Sequence, residues 1–126
     1  MSFFNNLFGN SDNQTPITSK INWTLLTDLG QLNEIITLSN EKPVLIFKHS
    51  TRCSISRMAL KQFENEFDLQ DKVTPYFLDL LEYRSISNEI ATRFNVMHQS
   101  PQLLLIKNGI VIYQVSHDSI DAKKLK

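Results

Sequence analysis

The chain has 126 residues, of which 41% are hydrophobic and 21% are charged, and its formal net charge is zero. These values are ordinary for one globular domain with its own core. The balanced charge gives no general field that would attract nucleic acid, and no apolar run approaches the roughly 18 residues of a membrane span. We therefore expect neither a nucleic-acid partner nor a membrane partner.

The first 20 residues differ in composition from the rest. They are rich in Asn, Ser and Thr after a small aromatic cluster, which favours a flexible or loosely docked segment 1–20 before a single domain, 21–126. The opening MSFFNNLFGN lacks the basic residues and the continuous apolar core of a secretion signal. Since one cysteine cannot form a disulfide within the chain, a reducing cytoplasm is the expected compartment.

From Ile21 onward, apolar spacing and breaker residues predict alternating strands and helices. Strands are predicted at Ile21–Leu26, Val44–His49 and Val73–Leu80. Helices are predicted at Asp28–Ser39, Ser54–Phe67 and Ser85–Phe94. Pro75, near the start of the third strand, suggests an edge strand or an irregular entry into the sheet.

The last part of the chain reads as a hairpin. Asn108-Gly109 stands between two branched apolar runs, which is the strongest short hairpin signal in a sequence. Asp118 or Ser119 is a candidate cap for a last short helix that runs to Lys126. The complete pattern predicts an α/β fold whose central mixed sheet has a βαβ crossover, a C-terminal β-hairpin and helices on both faces.

Two strings carry a resemblance to known proteins. A cysteine at the start of a helix, a Ser100-Pro101 pair before a strand and a Lys107-Asn108-Gly109 hairpin together resemble the thioredoxin fold. More closely, KHSTRCSIS and SPQLLLIKNGIVIYQVSH are similar to the YtxJ-type, or monothiol bacilliredoxin, family of the bacillithiol redox system. Where that family usually has Thr-Cys-Pro-Ile-Ser, this chain has Arg52-Cys53-Ser54-Ile55-Ser56. The resemblance covers roughly residues 23 to 120.

The resemblance implies a function and a groove. It implies a monothiol thiol–disulfide oxidoreductase that uses Cys53 to remove a low-molecular-weight thiol of the bacillithiol type from S-thiolated client proteins. The small thiol would be a co-substrate, and no cofactor is expected. The bond between Ser100 and Pro101 would be cis and face the cysteine. Because the last strand of the hairpin returns toward the edge where Pro101 begins, Ser116 and His117 could lie in the same substrate groove, or His117 could be a surface loop residue. We expect a monomer or a weak dimer.

The residues around Cys53 give an independent reason to expect a reactive thiol. A sulfur at a helix N-terminus faces unpaired N–H groups and the positive end of the helix dipole, and both favour the thiolate. Ser56, three residues on, cannot resolve a mixed disulfide as a cysteine would, but it could donate a hydrogen bond to the sulfur. The other candidate supporting residues, four of which could bind the carboxylates of a small thiol, are Ser54, Arg52, Arg57, Lys48 and His49.

Several alternatives stay open at this stage. Cys53 could be a buried structural cysteine, and the domain could be a binding protein: a redox-inert adaptor or a thiol-dependent iron–sulfur cluster carrier. Asp79 could lie in solvent at a strand end or support the site, and His98 could be a surface residue or line the groove. The spacing of the single cysteine and the histidines predicts no metal site.

Overall fold

The computed structural model describes residues 21–68, 72–117 and 120–121, so the predicted segment 1–20 lies outside the described residues. The strands are β1 (Thr24–Leu25), β2 (Val44–His49), β3 (Thr74–Asp79), β4 (Gln102–Lys107) and β5 (Ile110–Ser116). The helices are α1 (Gly30–Leu38), α2 (Ser54–Glu66) and α3 (Arg84–Arg93). Of the predicted last helix only Ile120 and Asp121 are described, and neither is helical.

The five strands form one mixed sheet in the order β1-β3-β2-β4-β5. β3 pairs in parallel with β1 and β2, whereas β4 pairs antiparallel with β2 and β5. The predicted parallel crossover and C-terminal hairpin are therefore both present. Asn108 and Gly109 have φ values of 53° and 78°, the left-handed conformation that the predicted Asn-Gly turn requires.

Alternate residues of β2 enter two hydrophobic cores on opposite faces of the sheet. Val44 and Ile46 pack into a core that contains residues of α1 and α3. Leu45 and Phe47 pack into a second core, to which α2 contributes Phe63. All six residues of β2 are buried as a result. Helices thus cover both faces, which confirms the predicted layers. No helix in the part of the chain that the structure describes has the length and apolar character needed to cross a membrane.

The interpretation of Pro75 as a sign of an edge strand is wrong, because β3 lies between β1 and β2. The Thr74 N–H donates to Pro43 O on the β2 side (2.9 Å), so the nitrogen of Pro75 points toward β1. The pairing of β1 with β3 begins only at Tyr76. The missing N–H of the proline therefore removes no hydrogen bond from the ladder.

One edge of the sheet collects the ends of four strands. β2 ends at His49, opposite Asp79 at the end of β3. Gln102 at the start of β4 lies opposite Ser116 at the end of β5. The loop from β2 into α2 carries Cys53 at this edge, which we call the Cys53 edge.

Candidate active site

Cys53 directly precedes α2. It is the N-cap, with an extended backbone (φ −106°, ψ 120°), and its sulfur is a free, half-buried thiol. Its amide donates to Ser50 O (3.2 Å), and its carbonyl accepts the N–H of Arg57 (3.1 Å). No side chain caps the helix and no acidic residue lies in its first turn, so the start of α2 beside the sulfur has no side-chain acceptor or negative charge of its own.

Ser56 has a different role from the predicted hydrogen bond to the sulfur. Its side chain is completely buried, its Oγ accepts the Ser50 N–H (3.0 Å), and it is hydrogen-bonded to His49 Nδ1 (2.8 Å). Neither partner is the Cys53 sulfur, so the prediction of a donor to the thiolate is wrong. The hydroxyl instead joins the loop before Cys53 to the first turn of α2.

His49 is buried on the α2 face, near the rings of Phe47 and Phe77. Burial lowers the pKa of its imidazole; the charge of Arg57 lowers it further, whereas Asp79 opposes the shift. A neutral ring protonated on Nε2 accepts the Ser56 hydroxyl proton at Nδ1. The prediction that His49 binds a carboxylate of a small thiol is therefore wrong, because the side chain is enclosed and already has a partner.

The two arginines beside Cys53 differ in what they contact. Arg57 Nη1 donates to Thr51 O (3.1 Å) and so supports the loop before the cysteine. Arg52 is exposed, as is Ser54, the first residue of α2. Arg52 lines a polar cleft of about 420 Å³, which we call the arginine cleft; its lining residues are Thr51, Arg52, Asp79, Leu81, Glu82 and Arg84.

Asp79 and Arg84 explain the shape of the arginine cleft. Asp79 is half-buried at the end of β3, where Oδ1 accepts the N–H groups of Leu81 (3.2 Å) and Glu82 (3.4 Å). It orders the turn that precedes Arg84, the first residue of α3, and Arg84 lines the cleft together with Arg52. Sequence reasoning missed Arg84, because nothing near it in the chain indicates that α3 begins next to the cysteine loop.

An apolar groove of about 440 Å³ lies along α2 on another side of the site, and we call it the α2 groove. It is lined by Ile55, Met58, Ala59, Gln62, His117 and Ile120. The bond between Ser100 and Pro101 is cis, and the N–H of His117 donates to Pro101 O (3.1 Å). Of the four predicted groove residues, His117 lines the α2 groove. Ser100 and Pro101 directly precede β4, and Ser116 is the last residue of β5.

The comparison with known proteins agrees with this arrangement. The family model described as the monothiol bacilliredoxin BrxC matches residues 24–125. The chain belongs to the monothiol bacilliredoxin family. A solved structure described as a candidate oxidoreductase with a thioredoxin fold is 31% identical, with a TM-score of 0.68 over 80% of this chain and 88% of that chain.

Two thioredoxins show the fold of this bacilliredoxin family at lower identity. Malassezia sympodialis thioredoxin is 23% identical, with a TM-score of 0.66 over 90% of this chain and 92% of its own. Fasciola hepatica thioredoxin is 18% identical, with a TM-score of 0.60 over 80% and 90%. The predicted thioredoxin-like fold is confirmed, and family and fold together assign thiol–disulfide redox chemistry to the chain.

Lys48 is the second predicted carboxylate ligand that the bacilliredoxin fold removes from the surface. Its side chain is completely buried, and in the alternation of β2 it faces the core of α1 and α3, opposite to His49. Nζ is hydrogen-bonded to His98 Nδ1 (2.8 Å) and to Gln102 Oε1 (3.2 Å). The prediction that Lys48 binds substrate is wrong; the strand pattern already contained the signal, because a strand buried on both faces also buries its lysine.

Proposed function

We propose that this chain is a monothiol thiol–disulfide oxidoreductase that removes a small thiol of the bacillithiol type from protein mixed disulfides through Cys53. The observation that carries the proposal is the position of this sulfur: it is half-buried and free at the N-terminus of α2, and in the chain it lies between Arg52, which lines the arginine cleft, and Ile55, which lines the α2 groove. Membership of the bacilliredoxin family supports the same chemistry. We also propose that it acts in a reducing cytoplasm without a resident cofactor.

The reaction is a pair of disulfide exchanges without net oxidation. The Cys53 thiolate attacks the sulfur of the small thiol in the mixed disulfide. The bond between the client and the small thiol breaks, the client cysteine leaves as a thiolate that takes a proton from water, and a disulfide forms between Cys53 and the small thiol. A second small-thiol thiolate then attacks the sulfur of the bound one, which releases the Cys53 thiolate and a small-molecule disulfide.

The need for an external thiol follows from the chain itself. It has one cysteine, so no second sulfur can expel the small thiol from Cys53. Ser56 occupies the position three residues on, but its hydroxyl is buried and hydrogen-bonded to the Ser50 N–H and His49 Nδ1. A serine hydroxyl is also far too weak an acid to attack a disulfide at neutral pH.

We assign the small thiol to the arginine cleft. Bacillithiol and glutathione both carry carboxylates and an amine, and the cleft offers guanidinium groups from Arg52 and Arg84 next to the carboxylates of Asp79 and Glu82. Guanidinium–carboxylate pairs are among the stronger hydrogen bonds available at such a site. Arg52 directly precedes Cys53 in the chain, which supports assigning the small thiol to this cleft.

We assign the client protein to the α2 groove and the adjoining Ser100–Pro101 edge. Ile55 and Met58 are exposed on α2 directly after Cys53. His117 joins this surface to Pro101, whose carbonyl accepts the His117 N–H. An extended segment around the client cysteine could bury its apolar side chains in this groove, and the burial of apolar surface would contribute to binding.

Intact-mass measurement tests the proposal. The reduced chain is mixed with a protein that carries a bacillithiol or glutathione mixed disulfide, and Cys53→Ser is run in parallel. We expect the wild-type chain to gain the mass of the small thiol while the client loses it, and the variant to do neither. The thiol that transfers faster identifies the substrate. If neither thiol moves, even at pH 8, the exchange function is wrong and an adaptor role replaces it.

A further inference from the structure

The last two residues of β2 contact the two halves of the site from opposite faces of the sheet. His49 reaches α2 through Ser56 (2.8 Å) and so holds the helix that follows Cys53. Lys48 reaches Gln102 (3.2 Å) and His98 (2.8 Å), the residues that lie on either side of the Ser100–Pro101 turn. One strand end therefore ties both the nucleophile and the proline turn to the same rigid element.

Gln102 is the centre of the network on the Lys48 side. It is buried, and its Nε2 donates to Met97 O (3.0 Å) and to Gln114 Oε1 (2.9 Å). Its Oε1 accepts the ammonium group of Lys48 and the N–H of Gln99 (3.4 Å). Because an ammonium group can only donate, Lys48 fixes which end of the amide is oxygen, and the amide in turn holds both Met97 and Gln99.

His98 completes the network. Its Nδ1 faces Lys48 Nζ (2.8 Å) and also Ser87 Oγ on α3 (3.3 Å). Since the lysine donates, Nδ1 must be unprotonated and the ring proton must lie on Nε2. Burial and the charges of Lys48 and Arg84 lower the pKa of His98, so the ring is neutral at pH 7.

The energetic position of Lys48 separates it from an ordinary core residue. Among the described residues, its hydrogen-bond partners are a neutral imidazole and a neutral amide, not a carboxylate. Burial lowers the pKa of Lys48 to about 8, so at pH 7 the fold keeps an ammonium group in its interior. A buried charge without a carboxylate partner lowers the stability of the fold. A methionine, which has a similar length and no charge, would not have this cost.

We propose that Lys48 is a positioning residue: its ammonium group holds segment 97–102, and with it the Ser100–Pro101 side of the client groove, in place relative to the Cys53 loop. The inference rests on the proposed exchange function for its role but on the geometry of this network for its mechanism. Lys48 touches no substrate. Its loss, or the loss of its proton, should weaken client binding and leave the sulfur itself reactive.

The decisive experiment compares Lys48→Met with Lys107→Met, a matched control at the exposed far end of β4. Two quantities are measured for each variant. One is the rate at which iodoacetamide alkylates Cys53, which needs no groove, and the other is the KM for exchange with an S-thiolated protein client. For Lys48→Met at pH 7 we expect the client KM to rise about tenfold, as the loss of a charge-assisted hydrogen bond predicts, with alkylation within about twofold of wild type. The Lys107→Met control should change neither the client KM nor the alkylation rate.

Two outcomes would overturn the inference. One is a folded Lys48→Met that keeps the wild-type client KM; the other is an equal fall in exchange and alkylation, which would mean general disruption. If the wild-type chain shows no exchange at all, the proposed function fails instead. The geometry can still be tested by the ¹⁵N resonances of His98, which should report the Nε2–H tautomer in the wild type and a tautomer mixture in Lys48→Met.

The wild-type pH profile keeps the inference testable even if Lys48→Met does not fold. Client exchange divided by iodoacetamide alkylation at the same pH cancels the ionisation of the sulfur. This ratio should fall as the pH rises from 7 to 9, because Lys48, whose pKa is about 8, loses its charge in that range. A ratio that stays constant from pH 7 to 9 would contradict the role of the ammonium group.

As the pH rises, the free energy of unfolding should increase, whereas the ratio of exchange to alkylation should fall. The unfolded chain keeps Lys48 protonated up to its ordinary pKa of 10.5, whereas the folded chain releases the proton near pH 8. Between these values the unfolded state binds more protons, so the free energy of unfolding rises with pH. In urea melts from pH 8 to 10, wild type should gain stability relative to Lys48→Met. Parallel curves would mean that the lysine is not buried as a charge at pH 8.

Discussion

The two clefts beside Cys53 differ in almost every physical property. The arginine cleft is lined by four charged side chains, two of each sign. The α2 groove is lined mainly by aliphatic side chains of one helix, with one amide and one imidazole. The proposed exchange involves two unlike partners, a small charged thiol and a folded protein, and we assign one cleft to each of them.

The difference has its origin in the backbone of each side. The arginine cleft is made by the turns that follow β2 and β3, where Asp79 accepts two backbone N–H groups and α3 begins at Arg84. The α2 groove is made by the side of a regular helix, whose own backbone groups are already paired. The arginine cleft is therefore charged because turns form it, and the α2 groove is apolar because one side of a helix forms it.

The largest expected effect comes from reversing the charge of one side chain of the arginine cleft with Arg84→Glu, which leaves one positive and three negative side chains in its lining. Loss of a charge-assisted hydrogen bond, together with new repulsion, should slow regeneration of Cys53 from its bacillithiol adduct on the order of 30-fold. The measurement is the rate at which free bacillithiol restores the thiol, followed by intact mass.

The matched control for that measurement is Arg93→Glu, on the same helix but engaged with Glu89 (3.1 Å) at its far end. An exposed pair of this kind contributes little, so Arg93→Glu should regenerate at nearly the wild-type rate. Regeneration by the uncharged thiol 2-mercaptoethanol should be similar in all three chains. If Arg84→Glu and Arg93→Glu behave alike, the small thiol does not bind in the arginine cleft.

A smaller effect is expected on the apolar side. Met58→Asp places a charge in the α2 groove, where Met58 is 71% exposed in the free chain. Loss of part of its burial against the client should raise the client KM about fivefold. Regeneration by the small thiol should not change.

Ile110→Asp is the control, because Ile110 is similarly exposed (62%) but lies at the hairpin end of the sheet, away from the Cys53 edge. It should leave both rates as they are. A Met58→Asp chain that exchanges normally with several unrelated S-thiolated proteins would remove the groove from the proposal, even if the arginine cleft is supported.

The sequence predicted the strands and helices around this site better than the hydrogen bonds of its side chains. β2 was predicted at its observed bounds and α2 within one residue, because breakers and an unbroken apolar run mark them. The predicted roles of Ser56 and His49 were wrong because spacing shows which residues can be neighbours, but not which partner a polar group takes. The predicted role of Lys48 was wrong although the pattern of a fully buried strand already indicated that its lysine is buried. Ser56 is three residues from Cys53, yet its hydroxyl pairs with His49 and the Ser50 N–H. Arg84 was out of reach, because only the sheet order brings α3 to the cysteine loop.

The smallest effect, a response to salt, sharpens the contrast between the clefts without any substitution. Raising the ionic strength from about 0.05 M to about 0.5 M shortens the Debye length from roughly 14 Å to about 4 Å, so charges are screened more strongly. Regeneration of Cys53 by bacillithiol should then slow about threefold, because its carboxylates approach exposed guanidinium groups. The client KM should hold or fall slightly, since burial of aliphatic surface is not screened. Equal salt responses of the two steps would mean that one surface serves both partners, and the assignment of separate clefts would be wrong.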